Sequence, residues 1–260
     1  MKLCMLAGSL SLTLLGSTPA IAQLAPIASG VYRWADHEVE NLADRQTRKI
    51  VEGTTPHFDY LEIHATTQQV GAKPRPPHAN SDIEELIIVK EGLLKVTIEG
   101  HSDTLGAGSV VSLMPQQSHS LQNVGDSPLT YFVMRYRATR PMQIERGAAS
   151  GGSLVFDMRS LPLKPSSRGA GRAYFDRATT MCRRLEMHVT QLHRRGPSHE
   201  PHTHNETEVI LVISGDAEMM IEGKRHEASA GDFFFVRADE HHGVGNASDK
   251  PCSYFAFKWN

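Results

Sequence analysis

The stretch HEPHTHNETEVILVISG, residues 199–215, carries three histidines and three glutamates around the start of an apolar run that ends at a glycine. His202 and His204 lie two residues apart, so an extended backbone directs both imidazoles to the same face. Glu208 follows four residues after His204, and one bend would bring its carboxylate into the same pocket. The stretch therefore predicts polar side chains gathered where a buried strand begins.

The chain repeats itself. Leu61-Glu62-Ile63-His64 reappears as Leu185-Glu186-Met187-His188 at an offset of 124. At an offset of 123, identical residues recur in the pairs Glu85 and Glu208, Gly92 and Gly215, His119 and His242, and Asn123 and Asn246. A register held over about a hundred residues indicates a tandem duplication. We assign the halves to residues 31–140 and 155–260, with a linker over residues 141–154 that contains Gly and Ser.

Each half reads as short apolar or β-branched runs separated by turn residues. In the second half we predict strands over residues 184–191, 208–214, 217–222, 233–237 and 252–258. Amphipathic segments long enough for helices are missing between them. The pattern predicts an all-β protein, either a sandwich or a barrel, with the jelly roll as one natural candidate.

The first 22 residues have the pattern of a signal peptide. Lys2 gives a basic start, residues 3–15 are mostly apolar, and Ala20-Ile21-Ala22 supplies small residues for cleavage before Gln23. We therefore expect a periplasmic or secreted protein. The later apolar runs have the length of strands, so no membrane association is expected after cleavage. A net charge of −2 with scattered basic residues argues against a nucleic-acid partner and favours a small-molecule ligand.

Removal of the leader would leave two cysteines, Cys182 and Cys252. In an oxidising compartment they could form one disulfide, or they could remain as two buried thiols. The sequence does not choose between these alternatives.

The histidines admit two interpretations. Two or three imidazoles with one carboxylate suit a divalent transition metal, with Mn or Fe favoured here and Ni, Zn or Cu as further choices. A His-x-His sequence taken alone is more often a pair of solvated surface residues. The surrounding pattern decides which interpretation is preferred.

The pattern in the second half is Gly196-x5-His202-x-His204-x3-Glu208-x6-Gly215, followed by Gly231-Asp232-x9-His242-x3-Asn246. It resembles the two sequence motifs of the cupin superfamily. The resemblance implies a bicupin, in which two jelly-roll barrels each carry a candidate metal site at the mouth, and it makes a homodimer a further expectation. By resemblance, His202, His204, Glu208 and His242 are the metal ligands. The alternative is a degenerate barrel in which these histidines are polar filling.

The first half departs from the pattern at one ligand position. By resemblance its second, weaker site consists of His78, Asn80, Glu85 and His119, with Asn80 in place of a histidine. An amide oxygen is a poorer donor than imidazole for these ions, so we expect a structural or weak site. Glu84 precedes Glu85, and the sequence leaves open which of the two faces inward.

Three residues are candidate proton carriers near the metal: Glu186, His188 and His241. Strand alternation puts Glu186 and His188 on one face, which is either the polar interior of the barrel or its outer surface. His241 neighbours the ligand His242, and the motif register assigns it to the rim or the surface.

The resemblance permits several functions, because the fold alone does not select a reaction. The preferred hypothesis is a metal-dependent oxygenase, decarboxylase, isomerase or lyase acting on a small anionic or chelating molecule. One alternative is a hydrolase similar to ureidoglycine aminohydrolases, although the order of ligands differs from theirs. Another is a binding protein without catalysis, which would be favoured if Phe255 and Phe257 filled the mouth of the second barrel.

Overall fold

The computed structural model describes residues 24–260, so the predicted signal peptide lies outside the described residues. The described chain is mostly β, with little helix. One α-helix, α1 (Ile144–Ala149), and two short 3₁₀ turns, Trp34–Asp36 and Met158–Ser160, interrupt the strands. Within residues 24–260, no helix combines the length and the apolar character needed to cross a membrane.

The strands of the first half are β1 (Gly30–Tyr32), β2 (Glu40–Asn41), β3 (Arg45–Gly53), β4 (Phe58–Gln68), β5 (Glu84–Glu91), β6 (Leu94–Ile98), β7 (His101–Leu105), β8 (Val110–Leu113), β9 (His119–Asn123) and β10 (Leu129–Ala138). Those of the second half are β11 (Leu154–Phe156), β12 (Lys164–Ser166), β13 (Gly169–Arg177), β14 (Leu185–Leu192), β15 (Gly196–Pro197), β16 (Thr207–Ser214), β17 (Asp216–Ile221), β18 (Lys224–Ser229), β19 (Phe233–Val236), β20 (His242–Asn246) and β21 (Cys252–Trp259).

Each half pairs one large sheet with one small sheet. The large sheets have the strand orders β11-β8-β5-β10-β4-β3-β2 and β1-β19-β16-β21-β14-β13-β12. The small sheets have the orders β7-β6-β9 and β15-β20-β17-β18. Each pair encloses its own apolar core. The prediction of a duplicated jelly-roll protein is therefore confirmed.

The strands that contain apolar runs were predicted from the sequence, and other strands were not. The five predicted runs correspond to β14, β16, β17, β19 and β21, with ends shifted by one residue or so. The polar β18 and the Gly-containing β20 were not predicted, because neither shows apolar alternation. The motif glycine Gly215 turns β16 into β17 at φ 70°, and a Cβ there would collide with the carbonyl oxygen of Pro251.

The two halves exchange an edge strand. β1 pairs with β19 of the second half, with Val31 opposite Phe234, and β11 pairs with β8 of the first half, with Val155 opposite Val111. The first strand of each half therefore lies in the large sheet of the opposite half. Asp232 reinforces the exchange, since its Oδ1 accepts a hydrogen bond from the backbone N–H of Trp34 at 2.8 Å.

A third apolar core lies between the two large sheets and joins the halves. Phe58 stacks on Trp259 across this interface, with ring centroids 5.2 Å apart. Strand β21 shows how the interface shapes the sequence, since Tyr254 and Ala256 face the interior of the second barrel while Phe255 and Phe257 face the other half. Because both faces of the strand are covered, residues 254–257 are all apolar instead of alternating with polar residues.

The two cysteines do not meet. Cys182 lies in the core between the halves and Cys252 lies inside the second barrel. Both are buried and free. Of the two alternatives left open by the sequence, the structure thus has two buried thiols.

Candidate metal centre

Two segments bring the predicted ligands of the second barrel together. The loop before β16 runs beside the start of β20, where His202 and His242 form an antiparallel bridge. The backbone N–H of each donates to the carbonyl oxygen of the other at 2.9 Å. This bridge fixes the two imidazoles side by side, with ring centroids 5.1 Å apart.

His204 completes a cluster of three imidazoles. One ring nitrogen from each of His202, His204 and His242 lies within 4.8 Å of the others. Nitrogens bound to one ion at about 2.0–2.2 Å are roughly 3 Å apart when adjacent and roughly 4.4 Å apart when opposite. The three imidazoles are therefore close enough together to bind one ion after a small inward movement.

Glu208 is the second residue of β16 and is buried beside the histidines. Its Oε2 lies 3.0 Å from Nε2 of His242 and 3.8 Å from Nε2 of His204. Burial opposes ionisation of Glu208, but the neighbouring imidazoles of His204 and His242 hold its pKa well below the ordinary value. Burial also opposes protonation of His242, while its contact with Glu208 raises the pKa of the imidazole.

Backbone carbonyls orient two of the imidazoles. Nδ1 of His204 lies 3.1 Å from the carbonyl oxygen of Glu206, and Nδ1 of His242 lies 2.8 Å from that of Glu240. A carbonyl oxygen can only accept, so each Nδ1 is the protonated nitrogen and each Nε2 points to the cluster. Such outer hydrogen bonds fix the tautomer and the ring orientation of metal-binding histidines.

One buried atom in the cluster lacks a partner. Nε2 of His204 is buried and has no hydrogen-bond partner among residues 24–260. Buried polar atoms are almost always satisfied, so an unpaired nitrogen aimed at two further imidazoles and a carboxylate calls for a ligand. The donor set therefore fits a divalent transition metal.

The site opens on one side. His242 is buried, His204 is half-buried and His202 is exposed. Partial burial and the adjacent imidazoles of His199 and His242 lower the pKa of His202. A ligand arriving from solvent would therefore meet His202 first.

A cavity of about 540 Å³ lies at this open side. Its lining includes His202 and Glu208 together with His188, Thr190, Tyr254 and Lys258. Phe255 and Phe257 lie in the core between the halves and do not fill the mouth of the barrel. The mouth of the second barrel is therefore open and lined by both polar and apolar side chains.

The three candidate proton carriers have different positions. His188 lines the cavity, and its Nδ1 lies 3.2 Å from Oε1 of Glu186. Glu186 is held in addition by Arg184 at 2.6 Å and by Lys258 at 3.6 Å. His241 is exposed and does not line this cavity; its backbone N–H donates to the side chain of Glu222.

Lys258 was not among the site residues predicted from the sequence. It follows Tyr254 and Ala256 on the inward face of β21, so alternation along that strand could have placed it in the mouth. Its counterpart at an offset of 123 is Arg135. The recurrence of a basic residue at this position in both halves could have identified Lys258 as a candidate site residue.

In the first barrel the four predicted residues line one cavity, and a guanidinium contacts two of them. His78 and His119 form the equivalent backbone bridge, and Nε2 of His119 lies 3.1 Å from Oε2 of Glu85. Arg135 donates from Nε to Oε1 of Glu85 at 3.1 Å and from a terminal nitrogen to Oδ1 of Asn80 at 3.4 Å. The inward carboxylate is thus Glu85, whereas Glu84 points into the contact between the halves.

The fold and the site define a duplicated jelly-roll protein with a histidine and carboxylate cluster at the mouth of its second barrel. The family model described as "Cupin domain" matches twice, at residues 65–135 and 188–258, which together make up more than half of the chain. The chain belongs to the cupin family. Among curated proteins, none matches this sequence.

Several solved structures share the fold. The oxalate decarboxylase formate complex of Lactobacillus farciminis has 15% identity and a TM-score of 0.67, covering 94% of this chain and 89% of that one. A putative glyoxylate induced protein from Pseudomonas aeruginosa has 15% identity and a TM-score of 0.68, covering 94% of both chains. AerE from Microcystis aeruginosa has 12% identity and a TM-score of 0.67, covering 90% of this chain and 100% of that one. At these identities the likeness establishes the two-barrel fold alone.

Proposed function

We propose that this chain is an exported metal-dependent enzyme that acts on a small anionic or chelating molecule at the centre of its second barrel. The observation that carries the proposal is the buried, unpartnered Nε2 of His204, which faces His242 and Glu208. His202, His204, Glu208 and His242 are the proposed ligands. The leader pattern of residues 1–22 supports export to the periplasm or beyond.

The donor set favours Mn or Fe, because one carboxylate and three imidazoles mix hard and borderline ligands. Three neutral imidazoles and one carboxylate leave a bound divalent ion with a charge of about +1. Such an ion would supply Lewis-acid or redox chemistry. A small carboxylate, enediol or hydroxy acid is the matching class of substrate.

The protein's own residues would bind the substrate and move protons. Lys258 brings a positive charge to the mouth of the barrel, where it attracts an anionic group. The carboxylate of Glu186 lies 3.2 Å from Nδ1 of His188 and favours a proton on that nitrogen, so Nε2 of His188 is the nitrogen proposed to take a proton from the substrate. We propose His188 as the principal proton carrier, with Glu186 orienting it. The exposed His241 remains a weaker candidate.

The reaction is proposed as an oxygenase, decarboxylase, isomerase or lyase type. Oxalate decarboxylases are among the proteins that share the two-barrel fold, which is consistent with a carboxylate substrate. The open mouth supports catalysis over simple binding, since Phe255 and Phe257 lie elsewhere. A hydrolase resembling ureidoglycine aminohydrolases is the alternative reaction, and a ligand-binding protein without turnover is the alternative function.

Elemental analysis tests the centre directly. The full chain, purified after export, should hold about one transition metal ion per molecule, and the variant His202→Ala, His204→Ala should hold almost none. His193→Ala is the matched control, because His193 is exposed in the same half and lies outside the cluster. Equal metal content in the double variant and the wild type would refute the assignment.

A second experiment separates the functions. The metal-loaded protein is incubated with small carboxylates and hydroxy acids, and carbon dioxide release, oxygen uptake and ammonia release are followed. Loss of turnover in His188→Ala with unchanged metal content supports an enzyme with the proposed proton carrier. Tight ligand binding without any turnover supports the binding protein instead.

A further inference from the structure

The first barrel contains a cavity of about 230 Å³ at the position equivalent to the metal centre. Its lining includes His78, Asn80, Glu85 and Arg135, together with Arg75 at the rim. This cavity lies in the other half of the chain from the proposed catalytic centre, and the proposed function makes no use of it.

Arg135 and Lys258 occupy equivalent positions and behave differently. Arg135 lies opposite Glu85 in the pairing of β10 with β5, and Lys258 lies opposite Glu208 in the pairing of β21 with β16. Lys258 turns towards Glu186, with Nζ 3.6 Å from Oε2. Arg135 lies at a similar distance, 3.9 Å, from the equivalent Glu62, but it also reaches the inward carboxylate Glu85 at 3.1 Å.

The guanidinium of Arg135 therefore stands where a metal would be attracted. It donates to Oε1 of Glu85 and to Oδ1 of Asn80, the two oxygen donors of the predicted weak site. A divalent ion on these oxygens would lie close to a permanent positive charge and be repelled by it. Since arginine does not lose its proton in proteins, the repulsion persists at every working pH.

Two guanidinium groups, from Arg75 and Arg135, line the cavity, and Glu85 is the one carboxylate in its lining. A second carboxylate, that of Glu62, lies 3.9 Å from a terminal nitrogen of Arg135. Among residues 24–260, Arg75 forms no salt bridge, and Arg135 keeps terminal N–H groups beyond those hydrogen-bonded to Glu85 and Asn80. Planar guanidinium groups bind carboxylates through paired, charge-assisted hydrogen bonds.

We propose that the first barrel is a metal-independent binding pocket for a small carboxylate, in which Arg135 supplies the positive charge. Arg75 contacts the incoming anion at the rim. The cavity volume holds a molecule of a few non-hydrogen atoms. The second barrel is then the chain's single metal centre.

Malonate, a small dicarboxylate, serves as the probe. The protein is the full chain carrying His202→Ala and His204→Ala, treated with chelator, so that the proposed metal centre cannot contribute. Isothermal titration should show one malonate per chain. Adding Arg135→Met should weaken binding by roughly tenfold or more, because charged hydrogen bonds to the anion are lost.

Arg137→Met is the matched control, since Arg137 lies on the same strand but pairs with Asp59 and Asp82 at 2.9 and 3.0 Å. Binding in this variant should be unchanged. If Arg135→Met does not fold, Arg75→Met replaces it, because Arg75 is exposed and its loss should weaken binding without unfolding the barrel. Circular dichroism verifies the fold of each variant.

Three results would overturn the proposal. One is the absence of malonate binding in the chelated double variant, and another is equal binding in the Arg75→Met and Arg137→Met variants. The third is a content of two metal ions per wild-type chain. Failure of the metal assignment in the second barrel would leave the malonate results unaffected, so the two proposals fail separately.

Discussion

Glu84 of the first half accepts a hydrogen bond from the backbone N–H of Met181 in the second half, at 2.8 Å. The same oxygen accepts from the hydroxyl of Thr179 at 2.9 Å, while Oε1 is buried without a partner among residues 24–260. The residue equivalent to Glu84 at an offset of 123 is Thr207, so the acid is a departure from the internal symmetry. A carboxyl group thus sits in the contact between the halves with only part of its hydrogen-bonding capacity used.

This contact should make stability depend on pH. Burial, against the hydrogen bonds from Met181 and Thr179, raises the pKa of Glu84 from 4.5 to about 7. The folded protein therefore holds the proton more tightly, and its stability should fall as pH rises from about 4.5 to about 7. The contribution is about 3 kcal/mol for a fully buried group.

Urea unfolding at several pH values checks the contribution of Glu84. Glu84→Gln keeps an oxygen that can accept from Met181 and removes the titration, so it should be less sensitive to pH than the wild type and more stable at pH 7. Glu38→Gln, at an exposed position, should follow the wild type. Parallel pH profiles for Glu84→Gln and wild type would show that Glu84 does not titrate in this range.

Trp259 should be a major contributor to the contact between the halves. Its ring is fully buried and stacks on Phe58, and its Nε1 has no hydrogen-bond partner among residues 24–260. Trp259→Ala should lower the free energy of unfolding by about 3–5 kcal/mol through loss of packing. Trp259→Phe should cost much less, because it also removes a buried donor that is left unpaired. Val70→Ala, at a side chain 56% exposed, provides the control in urea unfolding.

The two halves should unfold together. Each large sheet contains an edge strand from the other half, and the core between the large sheets is shared. We expect one cooperative transition in the full chain, with circular dichroism and tryptophan fluorescence changing at the same urea concentration. Residues 155–260 expressed alone would expose that core and β19, and should be unfolded or aggregated. A soluble fragment with a cooperative transition of its own would contradict this expectation.

Much of the fold could be predicted from the sequence because the duplication repeats the same motif positions in both halves. Gly92 and Gly215, or His119 and His242, mark the same positions twice, so one register located both barrels. The exchange of β1 and β11 could not be predicted, because strands of three residues carry no signal of which sheet they join. The core between the halves is visible in the sequence only as apolar runs without alternation. Because a buried helix can show the same pattern, these runs did not predict the core.

The part of the candidate site that consists of motif residues was predictable from the sequence. The resemblance to cupins implied His202, His204, Glu208 and His242 as one ligand set, and the structure has these side chains close together. Orientation of the imidazoles depends on carbonyl oxygens such as that of Glu240, which no sequence pattern reveals. The role of Arg135 depends on the conformation of its long side chain. That conformation is set by residues that are near it in space but distant in sequence, such as Glu85.

The substitution at Asn80 and the guanidinium of Arg135 should act together in excluding metal from the first barrel. Asn80→His restores a second imidazole but leaves the positive charge 3.1 Å from Glu85, so the protein should still bind one ion per chain. Asn80→His combined with Arg135→Met frees the carboxylate and should raise the content to two when Mn²⁺ is added, as measured by elemental analysis. Asn80→His with Arg137→Met should remain at one ion, because Arg137 does not contact Glu85. Two ions per chain in Asn80→His alone would show that the asparagine, and not the arginine, keeps metal out.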